Sequence, residues 1–173
     1  MLLKVLGSAA VLISCTGIGF WLGNTKLLRI QQLKELRAEF LLLRGDIRYR
    51  QSSLPEAFNY AASRKNQTFE PLFRRLSEAL TEYVWESFEQ AYQNVAGEAL
   101  AETELKVQDK QLLEQFAGML GQMDIGMQLS ALDWYLEQSG QVLKDISTGV
   151  ERKVGLCKSL GVLSGIFLLI ILL

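Results

Sequence analysis

Both ends of the chain are apolar and almost free of charge. Lys158 is the only charged residue between Gly155 and Leu173, and Val5–Leu22 contains none. Because a helix needs about 20 apolar residues to cross a bilayer core of roughly 30 Å, each stretch is a marginal membrane span. We expect a transmembrane helix at each end, with burial in a protein core as the alternative for the C-terminal stretch. The chain then divides into an N-terminal transmembrane helix, a helical domain and a C-terminal transmembrane helix, at residues 1–25, 26–154 and 155–173.

The N-terminal stretch permits a second interpretation. Leu12–Cys15 resembles the cleavage site of a lipoprotein signal peptide, with Cys15 as the residue that carries the lipid. A chain cleaved there would be a lipid-anchored, extracytoplasmic binding module. The apolar run continues past Cys15 to Leu22, however, and Trp21 lies where an interfacial aromatic residue belongs. We therefore favour an uncleaved spanning helix and keep the lipid-anchored module as the alternative.

Basic residues stand beside both apolar stretches, on the side of the central domain. They are Lys26, Arg29, Lys34 and Arg37 after the first stretch, and Arg152, Lys153 and Lys158 at the second. The cytoplasmic flanks of membrane helices carry an excess of Lys and Arg, so this distribution predicts that the central domain faces the cytoplasm.

Apolar residues between the two ends step by three and four, the spacing of one face of a helix. Two long seams follow this spacing: Leu33, Leu36, Phe40, Leu43 and Ile47, and then Ile125, Leu129, Leu132, Leu136, Leu143, Ile146 and Val150, with Ser139 filling one step. Between them the pattern predicts shorter helices, one of which continues from Thr81 to Leu100. No segment alternates convincingly with period two. We predict an all-α, antiparallel bundle of about five or six helices, whose two long members continue into the transmembrane helices.

Two short motifs mark helix boundaries. Ser53 and Glu56 have the spacing of a capping box, and Pro55 between them fits the first turn of a helix. In a later junction, a glycine can take a left-handed C-cap conformation and an aspartate can cap the last long helix. This helix-junction motif consists of Leu120, Gly121, Asp124 and Gln128.

The composition argues against most catalytic and metal-binding chemistry. The chain contains no histidine, which removes the usual general base, metal ligand and partner of a nucleophile. Its two cysteines, Cys15 and Cys157, lie far apart in the apolar ends and suit neither a zinc site nor a disulfide framework. There is no glycine-rich phosphate loop, no calcium-loop spacing of carboxylates and no basic face for nucleic acid. We expect no enzymatic activity, no cofactor, no metal and no nucleic-acid partner.

Charge is distributed unevenly, although the net charge is only −1. Up to Arg75 the chain has 12 Lys and Arg against 5 Asp and Glu, whereas from Leu76 to Glu151 it has 3 against 14. Glutamates that recur at helical spacing in the second part predict an acidic stripe, which we interpret as the docking surface for a basic partner. An ordinary solvated helix face is the alternative. The acidic stripe consists of Glu78, Glu82, Glu86 and Glu89.

The order of these features resembles the stage III sporulation protein AB family of endospore-forming bacteria, over nearly the whole chain. The most specific parts are residues 39–50, which begin with Glu39-Phe40 and end with Arg50, then Leu54-Pro55-Glu56-Ala57, and the junction of Leu120 and Gly121 with Asp124 and Gln128. The resemblance implies a soluble domain similar to the cytoplasmic helical domains of the type II secretion F protein, an inner-membrane platform protein.

The same resemblance implies a location and a role. Family members are mother-cell membrane proteins of the channel that joins mother cell and forespore after engulfment. The protein encoded beside them resembles a secretion ATPase, which would be the natural cytoplasmic partner, alongside other membrane components of the channel. We expect a non-enzymatic scaffold that docks this ATPase and transmits its movement to the membrane. A membrane adaptor without an ATPase partner is the alternative.

Overall fold

The computed structural model of the chain describes residues 2–64, 68–82, 85–120 and 124–149, together with Gly155, Ser159 and Leu163; among residues 2–22, it describes side chains only at Ser14 and Trp21. Every regular element in these ranges is helical. The elements are α1 (Leu2–Gly45), a π-helical turn (Asp46–Arg50), α2 (Leu54–Ala62), α3 (Glu70–Thr81), α4 (Phe88–Ala99), α5 (Val107–Leu120) and α6 (Ile125–Ser147). Within the described ranges, six α-helices and no strand confirm the predicted all-α class.

Contacts divide the chain into two units. Gln31–Asp145 forms one, which we term the central unit, and Met1–Ile30 with Ile146–Leu173 forms the other. The central unit holds the core and all of the helix-boundary and docking residues predicted from the sequence.

The part of α1 in the central unit and the π-helical turn after it bury the seam predicted from the sequence. All five seam residues are almost inaccessible to solvent: Leu33, Leu36, Phe40, Leu43 and Ile47. Because they follow one another at intervals of three or four, their side chains lie on one face of the helix and pack against the other helices. The π-helical turn ends at Arg50 and is capped by Gln51, whose backbone is left-handed (φ 53°).

Aromatic side chains from all six helices meet at the centre of the unit. The ring centroid of Phe40 lies 4.3 Å from that of Tyr135 and 5.0 Å from that of Phe116. Phe58 stacks on Phe88 at 5.6 Å, and Phe73 completes the cluster 6.1 Å from Phe40. Such pairs contribute beyond the burial of apolar area, so this cluster fixes how the helices are arranged around one another.

The two long helices pack antiparallel inside the central unit. Arg37 Nε donates a hydrogen bond to the carbonyl oxygen of Leu136 (3.3 Å), and further along α1, Arg44 Nη2 donates to Asp133 Oδ2 (3.3 Å). Residue numbers therefore fall along α6 as they rise along α1. α4 and α5 are antiparallel as well, since Gln93 on α4 contacts Glu114 and the residue after α4, Leu100, accepts a bond from Lys110.

One predicted helix is interrupted. The prediction of a helix from Thr81 to Leu100 is wrong between its ends, because α3 stops at Thr81 and α4 starts at Phe88. Ser87 caps the new helix: its Oγ accepts a hydrogen bond from the backbone N–H of Gln90 (3.3 Å). A serine followed three residues later by a glutamine is a helix-start signal, and this signal outweighs the hydrophobic spacing that crosses it.

The seam predicted on α6 is only partly correct. Leu132, Leu136 and Ser139 are buried as expected, but Ile125 is 47% exposed at the first position of the helix. The buried face also includes residues outside the predicted seam, namely Gln128, Ala131 and Tyr135. Tyr135 packs in the aromatic core. The buried face of α6 is therefore rotated about the helix axis, away from the predicted seam and toward Tyr135.

Among the described residues, no helix is both long enough and apolar enough to cross a membrane. The predicted C-terminal transmembrane helix, residues 155–173, lies outside the described residues except at three positions, and so does its predicted continuity with α6. The amphipathic helix predicted after the N-terminal stretch is part of α1, which begins at Leu2.

Candidate partner-binding surface

The motif at Ser53 is a helix start, as predicted. The backbone N–H of Ser53 donates to Glu56 Oε2 (3.0 Å), and Pro55 lies in the first turn of α2. Hydrogen bonds from Ser53 hold the pKa of the Glu56 carboxyl below its ordinary value, and the bond from the backbone N–H has a larger effect than the bond from the hydroxyl. The carbonyl oxygen of Pro55 accepts a bond from Ser77 Oγ (2.8 Å), which connects the start of α2 to α3. These contacts explain the motif by local structure.

The helix-junction motif also has a structural explanation where it is described. Leu120 is the last residue of α5 and is buried. Asp124 caps α6, because its Oδ2 accepts a hydrogen bond from the backbone N–H of Met127 (3.3 Å). Gln128 is buried and its N–H donates to the carbonyl oxygen of Asp124 (3.0 Å). Gly121 and its predicted left-handed C-cap lie outside the described residues.

The acidic stripe does not lie on one helix. Glu78 belongs to α3 and Glu82 is its C-cap, Glu86 lies in the connection, and Glu89 is in the first turn of α4. The prediction of one continuous stripe is therefore wrong, because the Ser87 cap separates the two helices. All four side chains are exposed, and none of them forms an ion pair with a described residue.

The packing of α4 on α5 brings Glu89 to a different set of neighbours. Its carboxylate lies over Gly118 of α5: a Cβ placed on that glycine would stand 3.8 Å from the carboxylate carbon. One helical turn further along the contact between α4 and α5, Gln93 Nε2 donates to Glu114 Oε1 (3.4 Å). Glu89 and Glu114, distant in sequence, are thus neighbours on one exposed surface.

An open pocket of about 390 Å³ adjoins Gly118 on the side of α6. Its lining is mostly apolar, and its methionines are exposed to solvent, Met119 by 42% and Met127 by 50%. We term this pocket the methionine groove; it is lined by Gly118, Met119, Met127, Ser130 and Ala131. Large apolar side chains that remain half exposed beside a recess are a feature of partner-binding surfaces.

Carboxylates predominate among the charged side chains of the helices around the methionine groove, α4, α5 and α6, although Arg44 of α1 pairs with Asp133 of α6. The chain has no Lys or Arg between Gln111 and Leu143, which includes most of α5 and α6, and none from Leu76 to Leu105, which includes α4. Two cations, Lys106 and Lys110, lie near the start of α5, whereas the groove adjoins the end of this helix. Lys110 donates to the carbonyl oxygen of Leu100 (3.0 Å). The surface formed by these three helices is therefore acidic.

Sequence reasoning missed a second charged region, at the end of α1. Arg64 Nη1 lies 3.5 Å from Glu39 Oε2, and its Nη2 lies 3.5 Å from Asp46 Oδ2. Its guanidinium stands 4.6 Å from the centroid of the Tyr60 ring, and Arg50 pairs with Asp46 at 3.7 Å. We term these five residues the Arg64 cluster. The signal that could have found it is the carboxylate of Glu39 next to the buried seam residue Phe40.

The described residues show no constellation for catalysis. They contain no group of three His, Cys, Asp or Glu side chains that could hold a metal ion. Burial raises the pKa of the Tyr92 and Tyr135 hydroxyls above their ordinary value. What the surface around the methionine groove offers is shape, apolar contact and carboxylates.

By fold, the chain is an all-helical bundle protein, and comparison with known proteins assigns it to a family. Residues 4–173 match the family described as Stage III sporulation protein AB. The chain belongs to the Stage III sporulation protein AB family, as the resemblance of its motifs indicated.

Two relatives are similar to the chain over most of their length. Stage III sporulation protein AB of Bacillus subtilis (strain 168) is 26% identical over 171 residues, which is 99% of each chain. A solved structure of Stage III sporulation protein AB (SpoIIIAB) matches with a TM-score of 0.64 and 23% identity, covering 72% of this chain and 97% of that one. At this identity, the structural match establishes the helical fold.

Proposed function

We propose that this chain is a non-enzymatic platform component of the secretion-like channel between mother cell and forespore, and that it docks a cytoplasmic secretion-type ATPase. The observation that carries the proposal is membership of the sporulation family over residues 4–173. In this proposal the protein lies in the mother-cell membrane around the forespore, with two spans and a cytoplasmic central domain. Other membrane components of the channel are its further partners.

The charge distribution supports a docking role. Basic and acidic side chains are paired in the Arg64 cluster. In contrast, the exposed carboxylates of Glu78, Glu82, Glu86 and Glu89 form no ion pair with a described residue. Unpaired exposed carboxylates attract a positively charged partner and accelerate its association, an effect that salt screens over about 8 to 10 Å at ordinary ionic strength. An acidic surface of this kind fits an ATPase that presents a basic face.

Co-purification tests the proposal directly. The full-length chain is expressed with the secretion-type ATPase encoded beside it and isolated at low and at high salt. We expect a complex that is retained at low salt and weakened at high salt, because exposed charges contribute to association. The control is Glu56→Gln, which removes a carboxylate used for helix capping and should leave the complex intact. Absence of the ATPase at every salt concentration would favour the adaptor without an ATPase partner.

The lipoprotein-like Leu12–Cys15 sequence supports a second candidate, a lipid-anchored module outside the cytoplasm. Growth with labelled palmitate separates the two, since only the lipoprotein incorporates label that Cys15→Ser abolishes. In the platform topology, a cysteine placed at the exposed Tyr49 should react with a membrane-impermeant maleimide only from the cytoplasmic side. Reaction from the opposite side would contradict that topology.

A further inference from the structure

We propose that the methionine groove is the docking site for one positively charged amphipathic helix of a partner protein. The inference rests on the proposed function, in which the chain binds a partner, and adds where that partner binds and with what chemistry. Three properties of the groove lead to it: its shape, its apolar lining and the sign of the charge around it.

The shape suits side chains that project from a helix. The volume of about 390 Å³ lies within the range of roughly 300–1,000 Å³ found for binding pockets. Gly118 contributes no side chain to the lining of the groove, and Ala131, which also lines it, is a small buried residue. A helix lying in a groove inserts apolar residues spaced three and four apart, which matches a recess between two packed helices.

The lining suits an apolar partner of variable shape. Met119 and Met127 have three rotatable bonds and a polarisable sulfur, and they remain about half exposed. Ile125, also exposed at the start of α6, extends the apolar surface beyond the groove. Covering these side chains removes apolar area from water, which is the main favourable contribution to association.

The negative charge near the groove favours a partner helix that carries positive charge. Glu89 and Glu114 lie on the α4–α5 side of Gly118, and Asp124 precedes Met127 on the α6 side. None of these three carboxylates forms an ion pair with a described residue. A helix with basic residues beside its apolar face is attracted, whereas an acidic helix or an anionic lipid surface is repelled.

A binding experiment with a defined probe tests this assignment. The probe is a fluorescent helical peptide of about 18 residues built from Leu and Lys, and the matched control peptide replaces Lys with Glu. Binding to the full-length protein in a neutral detergent is followed by fluorescence anisotropy. We expect the Lys peptide to bind in a salt-dependent manner and the Glu peptide to bind at least roughly ten-fold more weakly.

Variants locate the binding site. Gly118→Leu should block the groove without distorting α5, because a Cβ there meets only the Glu89 carboxylate at ordinary contact distance, 3.8 Å. Met119→Ser with Met127→Ser removes the apolar lining. Each should weaken the Lys peptide roughly ten-fold. The matched control is Val107→Ser, an exposed apolar residue at the opposite end of α5, which should not change binding. Unchanged far-UV circular dichroism shows that each variant is folded.

The remaining outcomes are decisive. Equal binding of the two peptides, or unchanged binding to the Gly118→Leu variant, overturns the proposal. Concentration-dependent dimerisation of the chain alone that Gly118→Leu abolishes would assign the groove to a second copy and also overturns it. If Gly118→Leu still co-purifies with the ATPase, the groove assignment fails while the platform function stands. If the wild-type chain binds the Lys peptide but never the ATPase, the platform function fails while the groove assignment stands.

Discussion

The Arg64 cluster and the four glutamates of the acidic stripe, Glu78, Glu82, Glu86 and Glu89, use charge in opposite ways. In the cluster, Arg64 lies between two carboxylates, and Glu39 is only 8% exposed. The glutamates, in contrast, are exposed and form no ion pair with any described residue. Charge that is paired and shielded from water holds the end of α1 to the segment after α2. Charge that is unpaired and exposed leaves the stability of the fold nearly unaffected and is available to a partner.

The energetic basis of this difference is solvation. Removing a carboxylate from water costs several kcal/mol, and the cost is offset only if an opposite charge remains in place. An exposed carboxylate keeps its water and loses little when it has no partner. The same residue type therefore serves the fold in one region and binding in the other. Substitutions can separate these two roles.

The largest expected effect is that of Arg64→Ala. The substitution leaves Glu39 buried without its countercharge, and we expect it to lower the free energy of unfolding by about 3 kcal/mol. The value lies toward the lower end for a buried pair because the Arg64 side chain is 21% exposed. Thermal and urea unfolding of the full-length chain, followed by circular dichroism, measures the loss.

Arg74→Ala is the matched control for this prediction. Arg74 also pairs with a glutamate, Glu70, but within one helix and at the surface, so its removal should cost no more than about 0.5 kcal/mol. Equal losses for the two arginines would show that the Arg64 cluster does not stabilise the fold through burial of its charges.

The Asp124 cap should have an intermediate effect. Asp124→Ala removes the acceptor for the N–H of Met127, and we expect a loss of about 1 kcal/mol in the free energy of unfolding. A methyl group on Gly126 would stand 2.9 Å from Asp124 Oδ2 and force that carboxylate to move. Gly126→Ala should therefore be more favourable in the Asp124→Ala background than in the wild type. Additive effects in this double-mutant cycle would mean that the methyl group does not disturb the cap.

Glu56 should make stability depend on pH in one direction. Its folded-state pKa lies below the ordinary value of 4.5 because the N–H and hydroxyl of Ser53 bond to the ionised carboxylate. Its contribution is therefore fully present above pH 4.5 and is lost as the pH falls through the lower, folded-state pKa. Melting temperatures of the wild type and Glu56→Gln should differ at pH 7 and converge at acidic pH. A difference that stays constant across this range would exclude the ionised carboxylate as its cause.

Sequence patterns predicted those parts of the fold that depend on local chemistry. Spacing identified the buried face of α1, and short-range hydrogen bonding identified the helix starts at Ser53 and Asp124. Local patterns failed where two signals competed, as at Ser87, where the capping signal interrupts a continuous hydrophobic spacing. They also missed Tyr135, which lies outside the predicted seam of α6. Its burial follows from the packing of its ring against Phe40, which is a tertiary contact and not a local pattern.

The candidate site could be predicted only in part for the same reason. The acidic character of α4 to α6 is a property of composition and was evident in the sequence. The neighbourhood of Glu89, Gly118 and Met127 is a property of tertiary packing, since these residues come from three helices. Likewise, nothing in the spacing of Glu39 indicates that its countercharge is Arg64, which comes from beyond α2.

The smallest effect on stability is expected from neutralising the exposed glutamates, and this prediction is the counterpart of Arg64→Ala. Replacing Glu78, Glu82, Glu86 and Glu89 with Gln should change the free energy of unfolding by less than about 0.5 kcal/mol. Relief of repulsion between Glu78 and Glu82 roughly offsets the loss of a favourable charge at the start of α4. The same variant should bind the ATPase more weakly and with less dependence on salt, because the unpaired charges no longer assist association. If the variant loses several kcal/mol of stability, the glutamates belong to the fold; if it binds the ATPase with undiminished salt dependence, the attraction comes from other carboxylates.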